Sequence, residues 1–269
     1  MARHTGFKTG ALWVGALVAL VAGPVQAVNL PASCVGPADR PVEQARVDHV
    51  HDGDTVRLAD GTRVRMVGLD TPEIFWREHS AEPYGHEARQ ALIDILQAHD
   101  DRVLLVYDQE RYDRYQRLLA HLFTPDGTSI HALLLARGLA VGLTIPPNDW
   151  NLRCYRDAEA QAREAGLKVW GLPHLQRVFP ARELPRDAQG FRRVSGKVVR
   201  VGESRHAYWI NLEGDVAFRI DREDMMYFPG LDNPRTLRGR EVIGRGLVYT
   251  HQGQPRIRIR HAADLDILE

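Results

Sequence analysis

Asp60-Gly61 separates two short alternating runs, and this punctuation constrains the fold more than any other local feature. An Asp-Gly pair readily takes the positive-φ conformations of a two-residue hairpin turn. Upstream, residues 46–58 alternate around Val47, Val50 and Val56, with Asp52-Gly53 interrupting. Downstream, residues 62–69 read as the partner strand. Residues 102–107 and 117–123 read as further strands. Residues 84–98, a segment opening at Ser129, and residues 152–165 carry apolar side chains at helical spacing. Ser129 is suited to cap its helix, whose expected core face is Leu133, Ala136 and Ala140, and Gly166 stops the last helix. Short strands followed by packed helices predict an α+β, mainly β class: a five-stranded Greek-key barrel of the oligonucleotide-binding (OB-fold) type.

The second half reads differently. Residues 173–190 hold three prolines and little periodicity, the composition of a linker. From residue 191 onward the runs 194–201, 207–212, 216–220, 241–249 and 256–260 alternate between glycine-bearing turns. Five such strands predict a second small all-β, OB-like barrel over 191–269.

Residues 1–27 have the layout of a signal peptide, with Arg3, His4 and Lys8, then an apolar run over 11–22, then small residues up to Ala27. The run is short for a bilayer span, although an uncleaved anchor is the competing reading. The expected location is periplasmic or secreted. Residues 28–45 read as a lead-in, and residues 46–172 as the first domain. Formal net charge is zero, so any attraction for a polyanion has to be local. The chain has two cysteines, Cys34 and Cys154, which can pair in an oxidising compartment. Closing a loop that long contributes at most about 4–5 kcal/mol in the chain-entropy model.

The chemistry concentrates in Arg65-Met66-Val67-Gly68-Leu69-Asp70-Thr71-Pro72-Glu73. Arg65 supplies a guanidinium able to grip a phosphate with two parallel hydrogen bonds. Pro72 pushes Thr71 toward extended geometry, which leaves Asp70 and Glu73 on irregular backbone at a strand end. Asp52 and Asp54 lie just upstream. Carboxylates beside an arginine suggest a hard cation next to a phosphodiester. His49 and His51, with His79 and His86 downstream, lack the spacing of a zinc site. The absence of a glycine-rich phosphate loop argues against a nucleotide-dependent motor or kinase.

Four motifs occur in order: Asp52-Gly53-Asp54-Thr55, then Val64-Arg65-x-x-Gly68-x-Asp70-Thr71-Pro72-Glu73, then Pro83-Tyr84-Gly85-x-Glu87-Ala88, then Asp113-Arg114-Tyr115-x-Arg117-Leu118-Leu119-Ala120. Together they resemble the thermonuclease (staphylococcal-nuclease-like) family over about residues 46–172. The resemblance implies three helices around the barrel and hydrolysis of DNA or RNA phosphodiesters. It implies Glu73 as general base and Arg65 and Arg117 as phosphate clamps. Asp54, Asp70 and the Thr71 carbonyl would hold Ca²⁺, or Mg²⁺ or another divalent cation, with Asp52 supporting them and Asp113 orienting Arg117. Arg114 and Tyr115 are further substrate contacts on this reading. Gln116 stands where the family often has glycine, and residues 143–150 lack the tyrosines that often stack a base; Trp150 and Trp76 read as packing residues first and as stacking substitutes second. Strand alternation sets Arg256, Arg258 and Arg260 on one face, either a backbone track or the wet side of a strand. The rival to an enzyme is a nuclease-like binding module without catalysis, and a third reading is a structural protein that makes protein contacts through the second barrel.

Overall fold

The computed structural model describes residues 1, 28–34, 36–38, 40–74 and 80–268. The expected signal peptide beyond Met1, together with Trp76 and His79, lies outside these residues. Among the described residues no helix is long and apolar enough to cross a membrane.

The first half is a closed five-stranded barrel. Strand β1 (Val42–Val50) turns through Asp52-Gly53 into β2 (Thr55–Leu58), and Asp60-Gly61 turns β2 into β3 (Arg63–Met66). β4 (Leu69–Asp70) follows, then α1 (Gly85–Gln97), β5 (Arg102–Val106), β6 (Leu118–Phe123), α2 (Ile130–Ala136), β7 (Val141–Gly142) and α3 (Leu152–Glu164). The strand order β1-β2-β3-β6-β5 closes where β5 pairs with β1. Val56, Val64, Met66, Leu105 and Leu122 fill the barrel, and Leu92, Leu134 and Tyr155 plug it from the three helices. Ser129 caps α2 by accepting from the Ala132 amide. The buried face of α2 is wider than the spacing suggests: Ala132, Leu134 and Leu135 are fully covered, while Leu133 is only half-buried. The helix is enclosed by its neighbours, so amphipathic spacing does not pick out its core side.

His131 shows how polar groups are accommodated there. It is fully buried, its Nε2 accepts from the Leu122 amide at 2.9 Å, and its Nδ1 faces the Val67 carbonyl at 2.9 Å. One nitrogen must accept and the other donate, which fixes the neutral ring. Burial, reinforced by His121, holds its pKa well below the usual histidine value.

The second half starts earlier than composition suggests. Residues 173–190 are folded: α4 (Pro173–Gln176) and β8 (Val178–Pro180) lead into buried Ala181, Leu184 and Ala188. β8 pairs in parallel with β9 (Gly190–Glu203). β10 (Ala207–Leu212), β11 (Ala217–Asp221), β12 (Glu241–His251) and β13 (Gln254–Arg258) complete a second barrel, closed by a β12–β9 pairing, and β14 (Leu265–Ile267) lies beyond β12. Val194, Ile210, Phe218, Val242 and Ile257 form its core.

Two covalent or ionic ties act at long range. Cys34 and Cys154 form a disulfide, fastening the lead-in segment to α3. Glu159 of α3 is fully buried and meets Arg245 of β12 through two bonds, of 2.6 and 2.7 Å. The same pair reads both sides of Gly142: its amide donates to Glu159 at 2.6 Å, and its carbonyl accepts from Arg245 at 2.8 Å.

Removing one member of a buried pair strands the other charge, so Arg245→Met should lower unfolding free energy by about 3–5 kcal/mol in urea titrations. Unfolded His131 takes up a proton below about pH 6.5 and the folded ring does not, so stability should fall by about 1.4 kcal/mol per pH unit on acidification from there. His131→Gln should reduce that slope by about one proton, read as ΔG of unfolding against pH.

Candidate active site

The site is built where β2 begins and where β3 and β4 end. β3 and β6 run parallel with Val64 beside Leu118 and Arg65 beside Leu119. Val64 and Leu118 point into the barrel, so strand alternation turns Arg65 and Arg117 outward on the same side. The two arginines line one cleft of about 380 Å³ together with Arg114, Tyr115 and Arg260.

Arg65 is largely buried and lies between two carboxylates. Nη1 is 2.9 Å from Asp54 Oδ2, and Nη2 is 2.7 Å from Asp70 Oδ1. Nη1 also donates to the Met66 and Leu69 carbonyls, at 2.9 and 3.1 Å. Burial works against the charge, but Asp54 and Asp70 outweigh it and raise the guanidinium pKa above its ordinary value. Asp54 in turn accepts from the Thr71 amide at 2.9 Å and the Thr71 hydroxyl at 3.1 Å. Asp52 accepts from the Asp54 amide at 3.0 Å. The Asp52-Gly53-Asp54 turn fits because Gly53 has no side chain: a Cβ there would lie 2.8 Å from Ala88 Cβ and from Thr71.

Four carboxylates crowd this corner, and each feels the others. Desolvation, then Asp54, pushes the Asp52 carboxyl up to about 6. Desolvation pushes Asp70 up to about 6 despite Arg65. Glu73, at the exposed rim, is pushed up to about 7 by partial desolvation and by Asp54, Asp52 and Asp70. Glu73 is held through its backbone: its amide donates to Glu82 Oε2 at 3.0 Å, and the Glu82 amide donates to its carbonyl at 2.9 Å.

The donor set is oxygen only, and it carries more negative charge than Arg65 neutralises. That is the chemistry of a site for a hard cation such as Ca²⁺ or Mg²⁺. Among the described residues no three His, Cys, Asp or Glu side chains form a ready cage, so a cation would rest on few protein ligands.

On the opposite wall, Asp113 accepts from the Tyr115 and Arg117 amides at 2.8 and 2.9 Å and from Arg117 Nε at 2.7 Å. This Asx-type turn holds Gln116 at φ +61°, a left-handed conformation adopted without glycine. Arg114 bonds the Tyr115 hydroxyl at 2.7 Å and lies over its ring, and Tyr115 is 63% exposed.

One open reading is decided and one expectation is corrected. Trp150 is not a free stacking platform: it packs against His121 and Phe123, and Arg40 lies 4.5 Å over its ring. Arg256, Arg258 and Arg260 do not form an open basic track. Arg256 is buried and bonds the Asp215 and Pro255 carbonyls and Gln254, and Arg258 pairs with Asp221 at 2.5 Å and with Glu223 and Asp224 at 3.3 Å. Arg260 leaves that row, pairs with Asp224 at 3.2 Å and reaches the cleft. The cause is the barrel wall, which places acceptors beside each guanidinium. Sequence reasoning also missed Glu159 and Arg245, 86 residues apart with no local pattern to link them, and Asn148, which bonds both the Glu110 amide and the Glu110 carbonyl at 2.8 Å.

The model of the family described as Staphylococcal nuclease homologue matches residues 63–171, the segment carrying Arg65, Asp70, Glu73 and Arg117. The thermonuclease of Staphylococcus hyicus is 30% identical over 168 residues, spanning 60% of this chain and 96% of that protein. The chain belongs to the staphylococcal nuclease family. The thermonuclease of Staphylococcus intermedius is 35% identical over 131 residues, 48% of this chain and 76% of that protein. Endonuclease YncB of Bacillus subtilis (strain 168) is 32% identical over 129 residues, 46% of this chain and 60% of that protein. Membership makes this nuclease-family chain a hydrolase of phosphodiester bonds.

Gly53→Ala should cost about 1–3 kcal/mol in chemical denaturation, because the added methyl meets α1 and Thr71 in a packed site. Activity of the folded fraction should fall with it, since the turn carries Asp52 and Asp54. A variant with unchanged stability and turnover would show that the turn has room to shift.

Proposed function

We propose that this family member is an exported, divalent-cation-dependent nuclease that cleaves DNA or RNA at the cleft between Arg65 and Arg117. One observation supports this reading most: Asp52, Asp54, Asp70 and Glu73 gather around Arg65, and Arg65 and Arg117 line one cleft. A binding module would need the arginines but not this costly concentration of like charge.

In the proposed mechanism Glu73 takes a proton from a water attacking phosphorus, a contribution of about 10²–10⁴-fold. Arg65 and Arg117 hold the non-bridging oxygens from two sides, where negative charge grows in the transition state. Asp113 keeps the Arg117 side chain aimed into the cleft. Asp54, Asp70 and the Thr71 carbonyl would hold the cation, Ca²⁺ or Mg²⁺, with Asp52 behind them; when bound it supplies further positive charge beside the phosphate. So few protein ligands imply weak binding without nucleic acid, on the order of 10⁻⁴ M. The 5′ oxygen leaves, giving a 3′-phosphate end, a polarity taken from the family resemblance. Arg114 and Tyr115 contact the substrate from the far wall, and the second barrel helps to hold it. Export follows from the layout of residues 1–27 and agrees with the Cys34–Cys154 disulfide, a bond that persists in oxidising compartments.

Glu73→Ser and Arg117→Gly should each lower turnover on plasmid DNA or RNA by about 10²-fold or more, with unchanged thermal unfolding. Chelation should abolish wild-type cleavage, and Ca²⁺ or Mg²⁺ should restore it. Near wild-type turnover in either variant removes that residue from the mechanism. Binding without cleavage under every divalent cation would favour the module.

A further inference from the structure

Leu143, Ile145 and Arg260 line the catalytic cleft and also a second cleft of about 300 Å³ where the two barrels meet. They form a shared sill, so the two spaces are neighbouring compartments of one groove. The first compartment has the size of a small-ligand site, so a longer strand must leave over its rim. Ile145 on the sill is 46% exposed and offers apolar surface to a sugar or base.

The second compartment is walled by Arg219, Arg245, Tyr249 and Arg258. Its lining holds one carboxylate among the described residues, Asp264, which is committed to Arg156 at 3.1 Å and Arg245 at 3.5 Å. The other carboxylates that fix these arginines, Glu159, Asp221 and Asp224, are buried and do not line the cleft, and exposed Glu223 pairs with Arg258. Arg219 and Arg258 are thus held by carboxylates while they line the groove, whereas the Arg245 Nη atoms are spent on Glu159 and the Gly142 carbonyl. The walls also contain a buried Arg258 Nε without a hydrogen-bond partner, while the Tyr249 hydroxyl faces Arg219 and Arg245 Nε lies 3.5 Å from Asp264. Buried donors lacking acceptors are rare, and one beside a cleft lined by several guanidinium groups points to a ligand rich in acceptors.

We propose that this second cleft is a subsite for the phosphodiester backbone of the strand whose scissile bond lies in the catalytic cleft, with Arg260 bridging the two. The proposal rests on the nuclease reading and deepens it. Arg219 and Tyr249 hold a flanking phosphate, and neither touches the reacting atoms.

The test is fluorescence anisotropy on the full chain in chelator, with labelled oligothymidylates of roughly two, six and ten nucleotides, spanning one OB-sized site. Wild-type affinity should rise about tenfold from the shortest to the longest, equivalent to about 1.4 kcal/mol. Arg219→Ala and Tyr249→Phe should each remove about three- to tenfold of that gain. Binding and cation-dependent cleavage of the shortest substrate should stay unchanged. No gain with length in the wild type, or a full gain in the conservative Tyr249→Phe, overturns the proposal. Weaker binding of thymidine monophosphate to either variant assigns the cleft to free nucleotide instead and also overturns it. Because binding is read without turnover, an inactive wild type would sink the nuclease reading while a length-dependent gain still supports the subsite.

Discussion

A buried guanidinium between two carboxylates organises the active corner. Arg65 cannot lose its proton, so burial is tolerable only with counter-charges at contact distance. Asp54 and Asp70 supply them from the ends of β2 and β4. The same contacts position the acids. Asp54 is held by Arg65 and by both donors of Thr71, so the cation ligands proposed here are preorganised by hydrogen bonds within the protein. The charges do not cancel. Asp52 and Glu73 remain in excess, and desolvation, with that surplus added to it, raises their proton affinities.

Much of this corner was legible because its determinants are local. Asp60-Gly61 marks the hairpin that sets β2 against β3, and Thr71-Pro72 marks where regular structure ends. Period-two alternation gave the strands of both barrels within a few residues, and Ser129 and Gly166 mark helix ends by backbone chemistry that needs no tertiary knowledge. The ordered motifs single out Arg65 and Arg117, which line one cleft, and Asp70, which pairs with Arg65.

What could not be read was set by partners far along the chain. Arg256, Arg258 and Arg260 alternate as an exposed strand should, yet Asp215, Asp221 and Asp224 claim them, and nothing within the strand announces those acceptors. The proline-bearing stretch 173–190 looks like a connection because its order comes from packing on the second barrel and from the β8–β9 pairing. α2 misleads in the opposite sense: enclosed on nearly every side, it has no solvent face to create a pattern. Gln116 adopts a backbone conformation usually left to glycine because Asp113 supplies the compensating hydrogen bonds.

The grip of Arg245 and Glu159 on Gly142 has a consequence for modularity. β7 carries Gly142, pairs with β4, and β4 ends in Asp70. The strand that ends in Asp70 is therefore braced, through its partner β7, by a residue of the C-terminal barrel some hundred positions downstream of Gly142. A boundary drawn by homology near residue 171 is not a boundary in the mechanical sense. The two halves behave as one machine frame, and any shuffling of such a module between proteins would have to carry its brace along.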